Sequence, residues 1–367
     1  MVTQKDIADK LGISQSAVAC AFHPELSRNI SAVKRTRILD AAQKLGYVPH
    51  NAARRLARSR SEKRAQTFDQ IGLIYLAKFD LDATCLAMMS GAEHELSRHD
   101  AAITFIRVSE PDEWRKVDRL TRAGGIDSWL LYGAVNDEVI GRLAPAKLPY
   151  VALGDNQCSK PVPTANVDNR AVGRMGAKRL AALGHRRVAF WGSNMRFVYQ
   201  RETLEGFLAA ARTLGLDTDS QLIVNYIPLI DPKAPDAENI DRVMRRHREC
   251  GTSEGKSLPT AIFVPEFEIT MFLHRFFKGA GLRIPEDISI LGTERGGMPS
   301  VQNAGFTRIE LSMNEVGRQG AELLHRLAMG DQSLDASQQQ HLIAPQLFEG
   351  WSTGRVSSSA HIPEEKP

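Results

Sequence analysis

The sequence predicts a small all-α head containing a helix-turn-helix, joined through a short basic segment to a larger α/β body of two doubly wound parallel-sheet lobes. Three observations carry that expectation. Positive charge is confined to the start: residues 1–64 hold 13 Lys/Arg and 5 Asp/Glu, a net of +8, and the rest of the 367-residue chain is −4. Within residues 3–46, apolar residues recur at helical spacing between good helix caps and stops. From Ile71 onward, short apolar strands alternate with amphipathic helices.

The head reads as three helices. Thr3 can cap the first, with Asp6 completing a capping box; Ile7, Ala8 and Leu11 share a face, and Gly12 ends it. Ser14 caps a second helix over about 15–22, so only Gly12 and Ile13 separate the first helix from that cap. Two short helices around so tight a glycine turn make a helix-turn-helix. Ser31 caps a third helix, in which Ile38, Ala41, Ala42 and Leu45 form the apolar stripe before Gly46. On the second helix, Val18, Ala21 and Phe22 are spaced for the core, and Gln15, Ser16, Ala19 and Cys20 face outward. Short outward side chains let a helix approach base edges in a major groove about 12 Å wide. Lys34, Arg35 and Arg37 can neutralise phosphates, which holds a module on DNA without reading sequence. The apolar pattern alone would also suit a helix pair with no DNA role; the basic charge beside it favours DNA.

The segment PHNAARRLARS (49–59) reads as a hinge helix with Ala52, Ala53, Leu56 and Ala57 on one side and Arg54, Arg55 and Arg58 on the other. It is too short to be stable alone. Residues 60–69 continue as linker, which sets expected boundaries at 1–48 for the head, 49–69 for hinge and linker, and 70–354 for the body. The last residues, 355–367, read as a flexible tail. In the body, strands are expected at 71–77, 101–108, 128–133, 149–154, 187–192, 222–227, 260–264 and 287–292. Helices are expected at 85–98, from about 113, and at 170–183, 201–214, 237–249 and 267–279. This βαβ repetition requires parallel sheets covered by helices, and some ten strands over nearly 290 residues suit two lobes.

Two phrases carry a resemblance. TQKDIADKLGISQSAV and TRILDAAQKLGYVPHNAARRLA resemble the N-terminal headpiece of the LacI/GalR family of bacterial transcription regulators. VDNRAVGRMGAKRLAALGHRRVAF, GAGLRIPEDISILG and FTRIELSMNEVGRQGAELL match the family body, so the likeness runs from residue 2 to about 354. It implies a periplasmic-binding-protein-like body whose chain crosses three times between lobes, with an effector cleft between them. The expected split is a first lobe of about 70–160 plus 293–320 and a second of about 164–290 plus 321–354. It also implies a homodimer, with a tetramer left open, on a near-palindromic double-stranded operator in the cytoplasm, at the nucleoid. Hinge helices would meet in the minor groove, Leu56 wedging between base pairs. The implied DNA-contacting set is Thr3, Ser14, Gln15, Ser16, Cys20, Ser31, Lys34, Arg35, Asn51, Arg54, Arg55 and Leu56.

This chain departs from the family where ligand is usually held. Asp82-Ala83-Thr84-Cys85 replaces Asn-Pro-Phe-Phe. Thr203 stands where an Arg is usual, with Arg201 two residues earlier. Pro265-Glu266-Phe267 replaces Ala-Asn-Asp, and Gly292-Thr293-Glu294-Arg295 replaces Gly-Phe-Asp-Asp. The standard sugar mode is therefore altered or absent. Asp82, Thr84, Arg201, Glu266 and Glu294 stand as candidate polar liners, with Phe267 as a stacking ring, for a small-molecule effector of carbohydrate type; an effector-independent or partner-controlled regulator is the alternative. In the head, Ala19-Cys20 replaces the usual polar pair, and the HPELSRN loop is about two residues longer.

Other classes find no support in the residues. No apolar run is long enough to span a membrane, and the start has no secretory h-region. The four cysteines show no CxxC spacing and read as free thiols in a reducing compartment. HELSRH (94–99) places its histidines five apart, on different faces of a helix, so no zinc pair is expected. No phosphate-binding glycine loop or GxSxG elbow occurs, so neither a cofactor nor an enzyme activity is expected.

Overall fold

A computed structural model describes residues 2–22, 30–47, 68–77, 82–192, 197–227, 229–231, 233–251, 257–295, 305–331, 333–335 and 338–356. The chain divides into two compact units, one built on Met1–Gln66, the other on Thr67–Thr121 and Ile126–Pro367.

The first unit holds α1 (Gln4–Leu11), α2 (Gln15–Ala21) and α3 (Ala32–Leu45). Each begins on a hydroxyl cap. Thr3 receives the Asp6 N–H and Asp6 returns the bond to the Thr3 N–H, while Ser14 accepts from Ala17 N and Ser31 from Lys34 N. Gly12 (φ 64°) and Gly46 (φ 68°) close α1 and α3 in the left-handed region, where a side chain would be strained. Ile7, Ala8, Val18, Ala21, Ile38, Ala41 and Ala42 form the core, flanked by a Phe22–Tyr47 ring contact at 5.3 Å.

The second unit contains two six-stranded sheets. The first orders β13-β7-β5-β3-β1-β2, all parallel: β1 (Gln70–Leu76), β2 (Ala102–Arg107), β3 (Ser128–Gly133), β5 (Tyr150–Leu153), β7 (Thr164–Val167) and β13 (Gln340–Ile343). A two-residue pair, β4 (Val135–Asn136) and β6 (Asn156–Gln157), lies apart from it. The second sheet orders β14-β12-β11-β10-β8-β9, with β8 (Val188–Gly192), β9 (Ile223–Asn225), β10 (Ala261–Val264), β11 (Ser289–Glu294), β12 (Arg308–Glu310) and an antiparallel edge, β14 (Gln346–Phe348). Crossover helices make the parallel pairing possible. They are α4 (Ala83–Ser97), α5 (Trp114–Arg122) and α6 (Asp137–Leu143) in the first lobe, and α7 (Asn169–Ala182), α8 (Val198–Leu214), α9 (Asp236–Glu249) and α10 (Phe267–Gly279) in the second. The chain then returns to the first lobe as α11 (Met313–Ala328).

Sheet membership corrects the expected lobe split. The end of β11 (293–294) and β12 (308–310) pair within the second sheet, and α11 with β13 lies on the first, so the crossings fall near 168, 312 and 344. Three crossings are what the resemblance implies; their positions follow strand pairing, which no local pattern reports. The short strands β7, β12, β13 and β14 were not foreseen, because three or four residues carry little periodicity.

Each lobe packs one pair of helices backbone to backbone. A Cβ on Gly91 of α4 would stand 1.8 Å from the Asn314 carbonyl oxygen, and one on Gly317 of α11 1.9 Å from that of Met88. In the second lobe, a Cβ on Gly173 of α7 would meet the Thr203 carbonyl at 2.0 Å, and one on Gly206 of α8 that of Arg170 at 2.1 Å. Only hydrogen fits at these crossings.

Candidate nucleic-acid interface and interlobe site

The head presents a polar surface built on α2 and the first turn of α3. Gln15 and Ser16 are exposed in the first turn of α2, and Ala19 and Cys20 are half-buried further along. The Ser14 and Ser16 hydroxyls stand 3.0 Å apart. Lys34 and Arg35 are exposed in the first turn of α3, and Arg35 Nε donates to the Ala21 carbonyl at 3.3 Å, tying α3 to the end of α2. That bond gives Arg35 a positioning task and leaves its terminal nitrogens outward. Thr3, Ser14 and Ser31 are all exposed helix caps, so their hydroxyls sit at three electropositive helix starts. The bonds from Thr3 hold the Asp6 carboxyl below its usual range. Asn51, Arg54, Arg55 and Leu56 lie outside the described residues.

In the body, polar and aromatic side chains gather at the carboxyl ends of strands, where open parallel sheets bind ligands. From the first lobe come Tyr75 (end of β1), Tyr132 (end of β3) and Asp155 (after β5). From the second come Tyr226 (after β9), Glu266 (after β10), Arg295 (after β11) and Tyr199 in the first turn of α8. Tyr75 and Tyr132 stack at 5.5 Å with an interplanar angle of 11°. Burial, reinforced by the Asp82 carboxylate, pushes the Tyr132 phenol up, so it remains a proton donor at neutral pH.

Asp155 clasps the lobes together. It accepts from Asn166 Nδ2 at 2.8 Å within its own lobe, and across the divide from Asn169 Nδ2 at 3.2 Å and the Tyr199 backbone N–H at 2.7 Å. The last bond caps α8, whose own N-cap residue, Phe197, makes no side-chain capping bond. Glu266 is as fully engaged: it accepts from Tyr199 Oη at 2.8 Å, Gln200 Nε2 at 2.7 Å and Tyr226 Oη. The Arg295 guanidinium carbon stands over the Tyr199 ring, 4.6 Å from its centroid.

The expected liners fare unevenly. Glu266 belongs to this site. Asp82 caps α4 through Cys85 N at 2.7 Å and stands within electrostatic reach of Tyr132. Thr84 is buried within α4, and Arg201 is exposed in the first turn of α8. The side chain of Phe267 lies outside the described residues. Glu294 is a correction: it is fully buried and pairs with Arg308 Nε at 2.9 Å. Successive residues along a strand point to opposite sides, so the neighbour of Glu294, Arg295, is the one that joins the site. Tyr132, Asp155 and Tyr199 were missed; only their position after strand ends could have flagged them. Among the described residues, no group of His, Cys, Asp and Glu could hold a metal, and no helix is long and apolar enough to cross a membrane.

Comparison with known proteins places this arrangement. A family described as a periplasmic binding protein-like domain matches residues 177–353. The HTH-type transcriptional regulator AglR of Rhizobium meliloti (strain 1021) is 26% identical over the whole of this chain and 98% of its own length. RafR of Escherichia coli, another HTH-type transcriptional regulator, is 30% identical over 58% of this chain and 61% of its own. Among solved structures, the lac repressor dimer bound to operator and the anti-inducer ONPF is similar at a TM-score of 0.71 and 18% identity, covering 96% of this chain and 99% of that one. A complex of the regulator CelR with cellobiose gives 0.62 at 20% identity over 96% and 100%. At such identities these two structures speak for the fold.

Proposed function

Because the chain is similar over its whole length to HTH-type transcriptional regulators and shares the fold of the lac repressor, we propose that it is a regulator of the LacI/GalR type, a sequence-specific repressor that binds a near-palindromic operator as a cytoplasmic homodimer and is controlled by a small molecule held between its lobes. Its relatives are transcriptional regulators rather than enzymes. The observation that carries the reading is the head: three capped helices with Gln15 and Ser16 exposed at the start of α2 and Lys34 and Arg35 exposed at the start of α3. A helix entering a major groove reads bases with its N-terminal residues, and cations beside it meet phosphates.

One such module seldom binds tightly enough alone. A two-fold pair on a two-fold site supplies both affinity and register. The Thr3, Ser14 and Ser31 hydroxyls would join phosphate contacts at their helix starts, and Cys20 would lie against the groove wall. Asn51, Arg54, Arg55 and Leu56 would order on DNA as a hinge. Control would run through lobe closure, which alters the spacing of two hinges in a dimer. In vitro selection of DNA bound by the full-length protein tests this. Paired half-sites about one helical turn apart are expected; recovery of no preferred sequence at moderate salt would sink the proposal.

A second reading has one observation in its favour. The Asp155 clasp holds the lobes with the protein's own groups, and the Glu266 network ties the second-lobe side of the site together in the same way. A regulator that needs no effector, or answers to a partner protein, would look like this. Isothermal titration with a metabolite panel decides between them: a saturable ligand that changes operator affinity removes the second reading.

A further inference from the structure

In the interlobe site the carboxylates are engaged by the protein's own donors, while two donors have no acceptor among the described residues. Asp155 and Glu266 each accept three hydrogen bonds from fixed protein groups, and Asp82 accepts the Cys85 N–H at the start of α4. The Arg295 guanidinium is different. It makes no hydrogen bond or ion pair among the described residues, and its close contact is the face of the Tyr199 ring. A ring contact of this kind satisfies none of the guanidinium's five N–H donors. The Tyr132 hydroxyl likewise makes no hydrogen bond among the described residues. Neither side chain is fully buried, so each keeps some surface open to a ligand. They come from opposite lobes and stand within electrostatic reach of each other.

We propose that the effector carries an oxyanion, a carboxylate or a phosphate on a small polar skeleton, held between Tyr132 Oη of the first lobe and the Arg295 guanidinium of the second. A planar guanidinium matches two oxygens of such a group at once, and a protonated phenol adds a third donor. Counting charges alone would argue otherwise, since two carboxylates, Glu266 and Asp155, stand near the one arginine. Those carboxylates already face hydrogen-bond donors, two of them tyrosine hydroxyls, so their charge is locally compensated. The same geometry explains why the usual family phrases are missing: a pocket built around a cation and a phenol does not need the standard hydroxyl-binding pairs. Because donors from both lobes hold one group, binding it would reinforce closure.

This inference rests on reading the interlobe site as the effector site, and the test separates the two. Full-length protein is titrated calorimetrically with inorganic phosphate, glucose, glucuronate and glucose 6-phosphate. The variants are Arg295→Gln, Arg295→Lys and Tyr132→Phe, with Arg186→Gln as a control outside the site and thermal unfolding to verify folding. An oxyanion probe should bind saturably and more tightly than glucose. Arg295→Gln should weaken that binding at least about tenfold, the expected loss of one charge-assisted pair. Tyr132→Phe should weaken it several-fold, Arg295→Lys should retain part of it, and Arg186→Gln should leave it unchanged. The better of glucuronate and glucose 6-phosphate identifies the carboxylate or the phosphate as the group recognised. Glucose binding as tightly as the charged probes, or oxyanion binding indifferent to Arg295, overturns the proposal and leaves the effector site standing. Binding of none of the probes at about 10 mM, well above ordinary effector affinities, overturns both.

Discussion

The head and the body are organised by different physics. The head spends 14 residues on its longest helix, and every helix begins on its own hydroxyl cap within three residues of the amide it serves. Its core is seven small or medium side chains. In the body the decisive contacts are distant in sequence: Asp155 caps a helix 44 residues away, Glu294 pairs with an arginine on another strand, and two helix pairs meet at glycines. The lesson is that local chemistry can build a surface of the kind proposed above to read DNA. Enclosing a small molecule requires groups from several strands to converge.

That contrast can be broken most directly at the helix crossings. Gly173→Leu should destabilise the second lobe by about 4 kcal/mol or more, because a side chain would have to displace backbone. Calorimetric unfolding should show the body transition lost or lowered steeply; a body that melts normally would mean the crossing is loose.

Acid should separate the two units next. His247 is buried in the second lobe, and burial, with Arg248 nearby, lowers it to about 4 from an ordinary 6.5. A base with a depressed folded value leaves the unfolded state better at binding protons. Body stability is therefore full above pH 6.5 and falls as pH drops toward 4, by about 3 kcal/mol from this group. His325, lowered by burial and by the stacked His99 ring at 3.7 Å, acts in the same direction. The described part of the head has no histidine. Chemical denaturation of the body at pH 7 and pH 4.5 checks the sign; equal midpoints would refute it.

The head should respond to smaller changes. Ser31→Ala removes the α3 cap and should cost about 1 kcal/mol of head stability, read by the melting of its helical signal while the body transition stays put. The smallest energetic effect should accompany the largest change in specificity. Exchanging Gln15 and Ser16 should move stability by less than about 0.5 kcal/mol and alter the selected half-site, with the salt dependence unchanged. An unaltered half-site would show that α2 does not read bases.

Much of this protein was legible residue by residue. The head's caps, its helix ends at Gly12 and Gly46 and its core at Ile7, Val18 and Ile38 all follow from spacing within one helix, and the structure keeps them. The alternation of strands and helices in the body was also local. The lobe boundaries were less so, because β12 and β13 are too short to announce which sheet they join. Site residues were least legible. Position in the chain could not report that Thr84 is buried and Arg201 exposed, or that Asp82 serves as the cap of its own helix.

By itself, the sequence determined a basic three-helix head and a two-lobed α/β body, because caps, turns and hydrophobic period act over a few residues. Only the tertiary structure decided that Glu294 is sealed against Arg308 while the adjacent Arg295 stacks on Tyr199 with its donors unspent. The reason is that a strand sends neighbouring side chains to opposite sides, and which side faces the other lobe is set by pairing with strands far along the chain.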